Sequence, residues 1–189
     1  MIENEFKLML TEQQYNAICA RYEWDKTISQ TNHYYDTDDF ALSDKHITVR
    51  VRTIAEECFL QMKLPNGAEY SRIELEQRLG STVPEVISAD MLSALAGEYL
   101  TEPLPAVKRL GALTTERRVK EFDGAELDLD KSTYFGKTDF ELEIEFTDEA
   151  AAKRLLHEII QAAGITDPRA VCVGKIRRFL SEYRKQQGE

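Results

Sequence analysis

Three acidic residues at alternate positions, Glu141, Glu143 and Glu145, form the most regular chemical pattern in the sequence. Successive side chains of a β-strand point to opposite faces, so these carboxylates would share one face while apolar residues occupy the other. Neighbouring carboxylates would lie roughly 6–7 Å apart, and such a row is repulsive unless something positive lies against it. A solvated edge strand would explain one such row on its own.

Four more strand-like runs have the same design, with one apolar face and one ionic face. Their ionic positions are Glu3, Glu5 and Lys7, then Arg50 and Arg52, then Lys63, then Glu74 and Glu76. Regular charges of both signs indicate a site rather than an ordinary solvated surface. Arginines can make forked contacts with phosphate oxygens, lysines add point charges, and carboxylates are ligands that Mg²⁺ or Mn²⁺ prefers.

Composition narrows the class of partner. The chain has 189 residues, of which 42% are hydrophobic, enough for one packed domain over residues 1–189. The formal net charge of −10 argues against a nucleic acid polymer or an anionic membrane as partner, because phosphate would repel the protein. Basic residues at regular strand positions instead fit a compact anionic ligand whose charge is partly offset by metal.

The cysteines and the N-terminus give the expected environment. Cys19, Cys58 and Cys172 are scattered and show no CxxC spacing, which argues against a disulfide framework or a zinc site. Glu3, Glu5 and Lys7 interrupt any apolar run at the N-terminus, so we expect no signal peptide. No stretch is long enough to span a bilayer. We therefore expect a soluble cytoplasmic protein, as a monomer or a homodimer.

The alternation, caps and turn residues predict an α+β fold. Strands are predicted at residues 2–10, 29–36, 46–53, 56–64, 69–79, 114–122, 125–131 and 139–146, and helices at 12–22, 84–97, 148–163 and 174–186. Hairpin connections make the strands mostly antiparallel. The simplest arrangement is an eight-stranded antiparallel β tunnel, a closed barrel with a charged lumen, flanked by helices on its apolar outer face.

The ordered set of charges resembles the CYTH superfamily, the triphosphate tunnel metalloenzymes. The family motif E-x-E-x-K stands at Glu3, Glu5 and Lys7, and further motif positions follow in order at Arg50 and Arg52, Lys63, Glu74 and Glu76, Arg117, Asp130, the Glu141 to Glu145 row, and Lys175. The segment Tyr34-Tyr35-Asp36-Thr37 is typical of bacterial members. Strand parity leaves Arg117 and Arg118 as alternatives for one position.

The resemblance implies both a fold and roles. The fold is the eight-stranded tunnel, and the chemistry is hydrolysis, or occasionally cyclisation, of a triphosphate with Mg²⁺ or Mn²⁺. The implied catalytic residues are Glu3, Glu5 and Lys7; the substrate-binding residues are Lys7, Arg50, Arg52, Lys63, Arg117 and Lys175; the metal ligands are Glu3, Glu5, Glu74, Glu76, Asp130, Glu141, Glu143 and Glu145. Glu74 and Glu76 could alternatively neutralise the arginines of a neighbouring strand.

The resulting hypothesis is a metal-dependent triphosphatase acting on inorganic triphosphate or thiamine triphosphate. The first alternative is a class IV-type adenylate cyclase that makes cyclic AMP and pyrophosphate from ATP, although no adenine-recognition group is identified. The second is a non-catalytic module that binds polyphosphate or nucleotides. The acidic rows argue against that module, because a pure anion binder has no use for carboxylates beside its ligand.

Overall fold

A computed structural model describes residues 2–67, 71–166 and 173–188. The chain divides into two compact units, which we call the first and second unit. The first unit is built mainly from Gln30–Leu113, and the second from Glu3–Ser29 together with Thr114–Glu189. Whether residues 1–189 act as one domain stays a prediction. No helix in the described ranges combines the length and apolarity needed to cross a membrane.

The described residues form nine strands and five helices. The strands are β1 Ile2–Leu10, β2 Lys26–Asp36, β3 Thr48–Ile54, β4 Glu57–Pro65, β5 Ser71–Gly80, β6 Val86–Ile87, β7 Val107–Phe122, β8 Ala125–Tyr134 and β9 Lys137–Phe146. The helices are α1 Glu12–Arg21, α2 Ala41–Asp44, α3 Ala89–Ala96, α4 Glu149–Ala162 and α5 Lys175–Gln187, with a 3-10 turn at Gly97–Tyr99.

In the first unit, β2, β3, β4 and β5 pair in sequence order, each antiparallel to the next. Arg50 lies opposite Gln61, and Lys63 lies opposite Glu74, so these polar side chains share a face. The other face builds the core of this unit with α3, from Val49, Val51, Leu60, Met62, Leu64, Ile87 and Leu92. The predicted separation into one apolar and one ionic face is confirmed here.

In the second unit, β1 pairs with β9, β9 with β8, and β8 with β7, again antiparallel. Lys7 lies opposite Glu143, and Asp130 lies opposite both Glu141 and Arg117. The apolar face packs against α1 and α4 through Leu8, Ile18, Leu127, Leu129, Leu142, Ile144, Leu155 and Ile159. The packing of these helices leaves the ionic face of the four strands available for a site.

Local signals fix the ends of the elements. The capping box predicted for α1 is present: Thr11 Oγ1 accepts from the Gln14 backbone N–H at 3.2 Å, and the Gln14 side chain accepts from Thr11 N–H at 2.9 Å. The turn between β7 and β8 needs glycine, because Gly124 has φ +76° and an added Cβ would lie 2.8 Å from the Asp148 Cβ. Asp148, one of the two predicted caps of α4, accepts from Ala150 N–H at 2.8 Å.

One predicted helix begins too early. The sequence predicts a helix over residues 84–97, but Val86–Ile87 pair with the start of β7 as the additional strand β6, and α3 begins only at Ala89. Ser88 ends the strand and caps the helix, accepting from Met91 N–H at 3.2 Å. The same pairing extends β7 back to Val107, seven residues before its predicted start. Residues 69–70 of the predicted third hairpin strand, and Cys172, lie outside the described residues.

Candidate active site

A cluster of polar side chains covers one face of the first unit; we call Asn32, Arg50, Arg52, Gln61, Lys63, Glu74 and Glu76 the arginine cluster. Arg50 is buried, donating from Nε to Gln61 Oε1 at 2.7 Å and from a terminal nitrogen to Glu74 Oε1 at 3.3 Å. Gln61 is itself held in place, because its Nε2 donates a hydrogen bond to Glu76 Oε2 at 2.6 Å. The guanidinium is thus oriented by side chains from two neighbouring strands.

The other members of the arginine cluster are also held in place. Arg52 Nε donates to Asn32 Oδ1 at 3.1 Å, and Lys63 Nζ lies 3.8 Å from Glu74 Oε2. Glu74 therefore contacts two cations, and Glu76 contacts an amide. Among the described residues neither glutamate belongs to a group of carboxylates close enough to share a metal ion. The geometry suits charge neutralisation, and the metal-binding role of Glu74 and Glu76 stays a prediction.

The second unit carries a denser cluster, which we call the acid cluster. It consists of Glu3, Glu5, Asp128, Asp130, Glu141, Glu143 and Glu145 with the cations Lys7, Arg117 and Lys175. Strands β1, β7, β8 and β9 supply all of these residues except Lys175, the first residue of α5. Asp128, Asp130 and Glu141 are at most 1% exposed, so their charges are removed from water. Carboxylates outnumber cations in a buried setting, an arrangement that needs further positive charge.

Arg117 is the cation that contacts Asp128 and Asp130, the two carboxylates that β8 contributes to the acid cluster. Its Nε and a terminal nitrogen donate to the two oxygens of Asp130 at 2.8 and 2.7 Å, and the guanidinium also contacts Glu143 and Asp128. Burial opposes its charge, but these carboxylates outweigh burial and raise the pKa of Arg117. Arg118 lies opposite Leu129 on the other face of the sheet. Of the two predicted alternatives, Arg117 is the one in the cluster.

Two lysines converge on Glu143 from different elements. Lys7 Nζ lies 2.8 Å from Glu143 Oε1 and 2.9 Å from Glu5, while Lys175 Nζ lies 2.7 Å from the same Glu143 oxygen. Lys175 also contacts Asp130 at 2.8 Å and Glu141 at 2.9 Å. Burial disfavours both ammonium groups, yet the surrounding carboxylates raise the pKa of each lysine. The cations in turn hold the pKa of Glu143 well below its usual range, against the effect of burial.

Within the described part of the chain, two groups of carboxylates are close enough to share a metal ion. Glu3, Glu5 and Glu145 form one group, and Asp128, Glu143 and Glu145 form the other, with the ligand atoms of each group within 4.8 Å of one another. Such all-oxygen sets suit hard divalent cations such as Mg²⁺ or Mn²⁺. Glu145 belongs to both groups and could serve as a ligand in either. Asp130 and Glu141 instead contact Lys175, and their metal-binding role stays a prediction.

The pKa values of Asp128 and Glu145, two carboxylates of these groups, also indicate that the cluster needs positive charge. Burial, together with the neighbouring Glu143, raises the pKa of Asp128 to about 7 despite the contact with Arg117. Burial and the nearby Glu3 and Asp128 raise the pKa of Glu145 to about 8. Both oxygens of Asp128 are buried; Oδ2 faces the Arg117 guanidinium, and Oδ1 accepts no hydrogen bond within the described chain. A divalent cation could replace the protons held there.

Five residues in or beside the two clusters were absent from the predicted site: Asn32, Gln61, Asp128, Asp139 and Arg178. Asp128 could have been found, because it stands two positions before Asp130 on the same face of β8. Gln61 likewise shares the face of Lys63. Asp139 also could have been found, because it stands two positions before Glu141 on the same face of β9. It contacts Arg178 at 2.8 Å beside the acid cluster, and Arg178 gave no such signal. Arg178 is on a helix, where strand alternation does not apply.

The sequence matches the family model described as the CYTH domain over residues 1–171. A Bacillus subtilis (strain 168) protein named "Putative triphosphatase YjbK" is 34% identical over 193 residues, with 97% of each chain covered. The crystal structure of a "putative adenylate cyclase" from Bacillus halodurans is 26% identical, with a TM-score of 0.75, covering 94% of this chain and 96% of that one.

A further similar structure comes from Hippeastrum. The Hippeastrum structure titled "Putative adenylyl cyclase HpAC1 from Hippeastrum reveals a dominant triphophatase activity" is 20% identical with a TM-score of 0.72, covering 96% of this chain and 95% of that one. This likeness concerns the fold. The predicted α+β fold, an eight-stranded antiparallel β barrel flanked by helices, is confirmed by the likeness to the Bacillus halodurans structure. The chain belongs to the CYTH domain family.

Proposed function

We propose that this protein hydrolyses a small triphosphate in a reaction that depends on a divalent metal ion. One observation carries the proposal: Glu145 belongs to both three-carboxylate groups and lies 3.9 Å from Arg117. The guanidinium of an arginine is a group that binds phosphate well. A site that binds only anions would have no use for these carboxylates. A site that binds only metal would have no use for the buried arginine and lysines.

The acid cluster offers the ligands for the metal. Glu3, Glu5 and Glu145 would hold one divalent cation, and Asp128 and Glu143 would join Glu145 around a second. A bound divalent cation neutralises phosphate oxygens and favours the deprotonated form of a bound water molecule. The donor set fits such a cation, because the buried Oδ1 of Asp128 lacks a hydrogen bond within the described chain, while Oδ2 faces Arg117.

The cations of each cluster would bind the substrate. In the acid cluster these cations are Arg117, Lys7 and Lys175, each of which contacts carboxylates in this structure. When substrate binds, they would donate hydrogen bonds to phosphate oxygens as well. Arg50, Arg52 and Lys63 are the corresponding residues of the first unit, and Arg50 already has its fork oriented by Gln61 and Glu74. These fixed positive groups would stabilise the charge that develops on the transferring phosphoryl group.

Proton handling falls to the carboxylates. We assign to Glu3 the orientation of the attacking water, since it lies at the edge of the acid cluster and is only partly buried. Lys7 neutralises Glu5 and Glu143 and so prevents these acids from repelling the phosphate. The role of each residue follows from the partner that it contacts.

Inorganic triphosphate and thiamine triphosphate are the proposed substrates. The Bacillus subtilis relative, whose name includes "triphosphatase", is the more similar of the relatives described and is covered almost end to end. The name of the Bacillus halodurans structure, at 26% identity, keeps adenylate cyclase as the second candidate. The two activities differ in their products: hydrolysis releases inorganic phosphate, whereas cyclisation of ATP releases pyrophosphate and cyclic AMP.

The test is a product analysis with inorganic triphosphate, thiamine triphosphate and ATP, each with Mg²⁺, Mn²⁺ or EDTA. We expect metal-dependent phosphate release from one of the first two. Glu145→Gln should remove it, whereas Glu121→Gln, at an exposed carboxylate on β7, should keep it. Cyclic AMP and pyrophosphate from ATP, without phosphate from any substrate, would replace the proposal with the cyclase. Triphosphate binding without turnover would favour the non-catalytic module.

A further inference from the structure

The N-terminal turn of α5 carries cations where a helix disfavours them. Lys175 and Arg178 stand one turn apart, and the first turn of α5 contains no acidic residue. The N-terminus of a helix is the positive end of its dipole, so basic residues there reduce helix stability. The N-cap is Gly174, which makes no side-chain cap. The partners of these two cations therefore lie outside the helix.

Arg178 joins α5 to β9. Its Nε donates to Asp139 Oδ2 at 2.8 Å, and a terminal nitrogen donates to Glu141 Oε2 at 2.7 Å. Another terminal nitrogen donates to the backbone carbonyl of Val173, just before the helix. Only 11% of the side chain is exposed. The guanidinium thus connects two carboxylates of one strand with the beginning of the helix.

Asp139, which accepts a hydrogen bond from Arg178, is itself held in place by other residues. The Tyr134 hydroxyl donates to Asp139 Oδ2 at 2.5 Å, the oxygen that also accepts from Arg178. Next to it, Phe135 packs against Phe179 of α5 with ring centroids 4.9 Å apart. Asp139 therefore has a defined position at the hairpin between β8 and β9, and Arg178 is held relative to that hairpin.

Glu141 links Arg178 to the acid cluster. A single oxygen, Oε2, lies 2.7 Å from Arg178 and 2.9 Å from Lys175. Lysine is a point charge on a flexible stem, so the place of its ammonium group depends on where the helix lies. Arginine presents a planar fork that can bind two carboxylates in fixed geometry. The fork can therefore set the position of the helix turn that bears Lys175.

We propose that Arg178 is a positioning residue that holds Lys175 in the acid cluster by binding Asp139 and Glu141. Its consequence for catalysis rests on the proposed function, in which Lys175 contacts phosphate. Arg178 itself acts through Lys175. Without Arg178, the first turn of α5 would keep the ion pairs of Lys175 with β8 and β9, but no fixed fork would direct the lysine at Glu143.

A double-mutant cycle tests this dependence through kinetics. Arg178→Met should lower kcat/KM for triphosphate about 10- to 100-fold, as expected for a group that orients a site residue. Arg178→Lys should recover only part of the loss, because one ammonium cannot bind both carboxylates as a fork. In the background of Lys175→Met, the change Arg178→Met should cost almost nothing further. Losses that multiply in the double variant would overturn the proposal.

Labelling of lysine amines, read by mass spectrometry, tests the position of Lys175 without any turnover. Lys175 should react slowly in the wild type and at least several-fold faster in Arg178→Met. Lys137→Met is the matched control, since it breaks another ion pair of α5, with Glu182 at 2.7 Å, but touches no residue of the acid cluster. It should leave both the labelling of Lys175 and kcat/KM unchanged.

The outcomes separate the two proposals. Unchanged labelling of Lys175 in Arg178→Met would refute the role of Arg178 even if activity falls. A wild type that hydrolyses no triphosphate would refute the proposed function, and the labelling would still decide the role of Arg178. If Arg178→Met fails to melt cooperatively, Asp139→Asn removes the same contact from the strand side and is judged by the same labelling result.

Discussion

The two units use the same strand design to make opposite electrostatic environments. In the arginine cluster, Arg50 and Lys63 share Glu74, and the remaining contacts go to amides such as Gln61. In the acid cluster, carboxylates outnumber cations, and the pKa values of Asp128 and Glu145 rise to about 7 and 8. The first arrangement suits an anion and the second suits a metal cation beside an anion. Alternation alone therefore defines a site face, and its charge balance defines the ligand.

The largest expected effect is in the acid cluster. Glu5→Gln keeps the shape of the side chain but removes a carboxylate that contacts Lys7 and belongs to a metal group. We expect kcat to fall about 1000-fold or more, because the metal supplies most of the charge stabilisation in phosphoryl transfer. Phosphate release measured over a range of Mg²⁺ should show weaker metal activation. Glu74→Gln, the matched change in the arginine cluster, should leave metal activation unaltered, and an equal loss there would erase the contrast between the units.

A smaller and different effect is expected in the arginine cluster. Arg52→Ala removes a guanidinium that Asn32 orients, and we expect kcat/KM to fall about 100-fold, as when one fixed donor to the transition state is lost. The loss should appear partly as a higher KM for triphosphate, and added Mg²⁺ should not restore it. Full recovery at high Mg²⁺ would show that Arg52 serves the metal, contrary to the division of roles between the clusters.

Arg50→Lys should have a milder effect in the same cluster. The charge remains, but the contacts of the fork to Gln61 and Glu74 cannot both form. We expect kcat/KM to fall about tenfold, with the same dependence on Mg²⁺ as the wild type. Steady-state kinetics beside a thermal melt would check this result. An unchanged kcat/KM would indicate that the cluster acts only through its net charge.

The last prediction concerns how the free energy of unfolding depends on pH when EDTA removes the metal. Asp128 and Glu145 have pKa values of about 7 and 8 when folded, against about 3.9 and 4.3 when unfolded. A raised carboxyl pKa contributes stability below the unfolded value, and this contribution is lost as pH rises through the folded value. The free energy of unfolding of the metal-free protein should therefore fall between pH 4 and 8. Added Mg²⁺ should oppose the fall, increasingly at higher pH, because metal binding releases the protons.

Denaturant unfolding at several pH values would measure this. Asp128→Asn should weaken the pH dependence, since the amide carries no titrating proton. A free energy of unfolding that rises between pH 4 and 8 in EDTA would contradict the charge balance that we describe for the acid cluster.

Much of the fold could be predicted because strand alternation is a local property. The rows at Glu141 to Glu145 and at Arg50 and Arg52 specify their own faces, whatever strand lies beside them. The choice between Arg117 and Arg118 could not be made this way, because it depends on the register of β7 against β8, which places Arg117 opposite Asp130.

Features that depend on distant partners could not be predicted from local sequence patterns. Val86 and Ile87 form a strand because they pair with Lys108 and Val107. A strand of two residues is too short to show an alternating pattern in the sequence. Arg178 shows no periodic signal, since its partners stand on β9, more than thirty residues earlier. Asp128 was visible as an alternate neighbour of Asp130, but only the three-dimensional structure shows that its buried Oδ1 has no hydrogen bond within the described chain.

Manganese binding tests the central claim most directly. Titration of the purified protein with Mn²⁺, followed by electron paramagnetic resonance, reports bound metal without any substrate. We predict that the wild type and Glu74→Gln bind Mn²⁺, and that Glu145→Gln, which removes the carboxylate common to both groups, loses that binding. Wild-type Mn²⁺ binding in Glu145→Gln, together with normal hydrolysis of triphosphate, would contradict the assignment of the metal to the acid cluster.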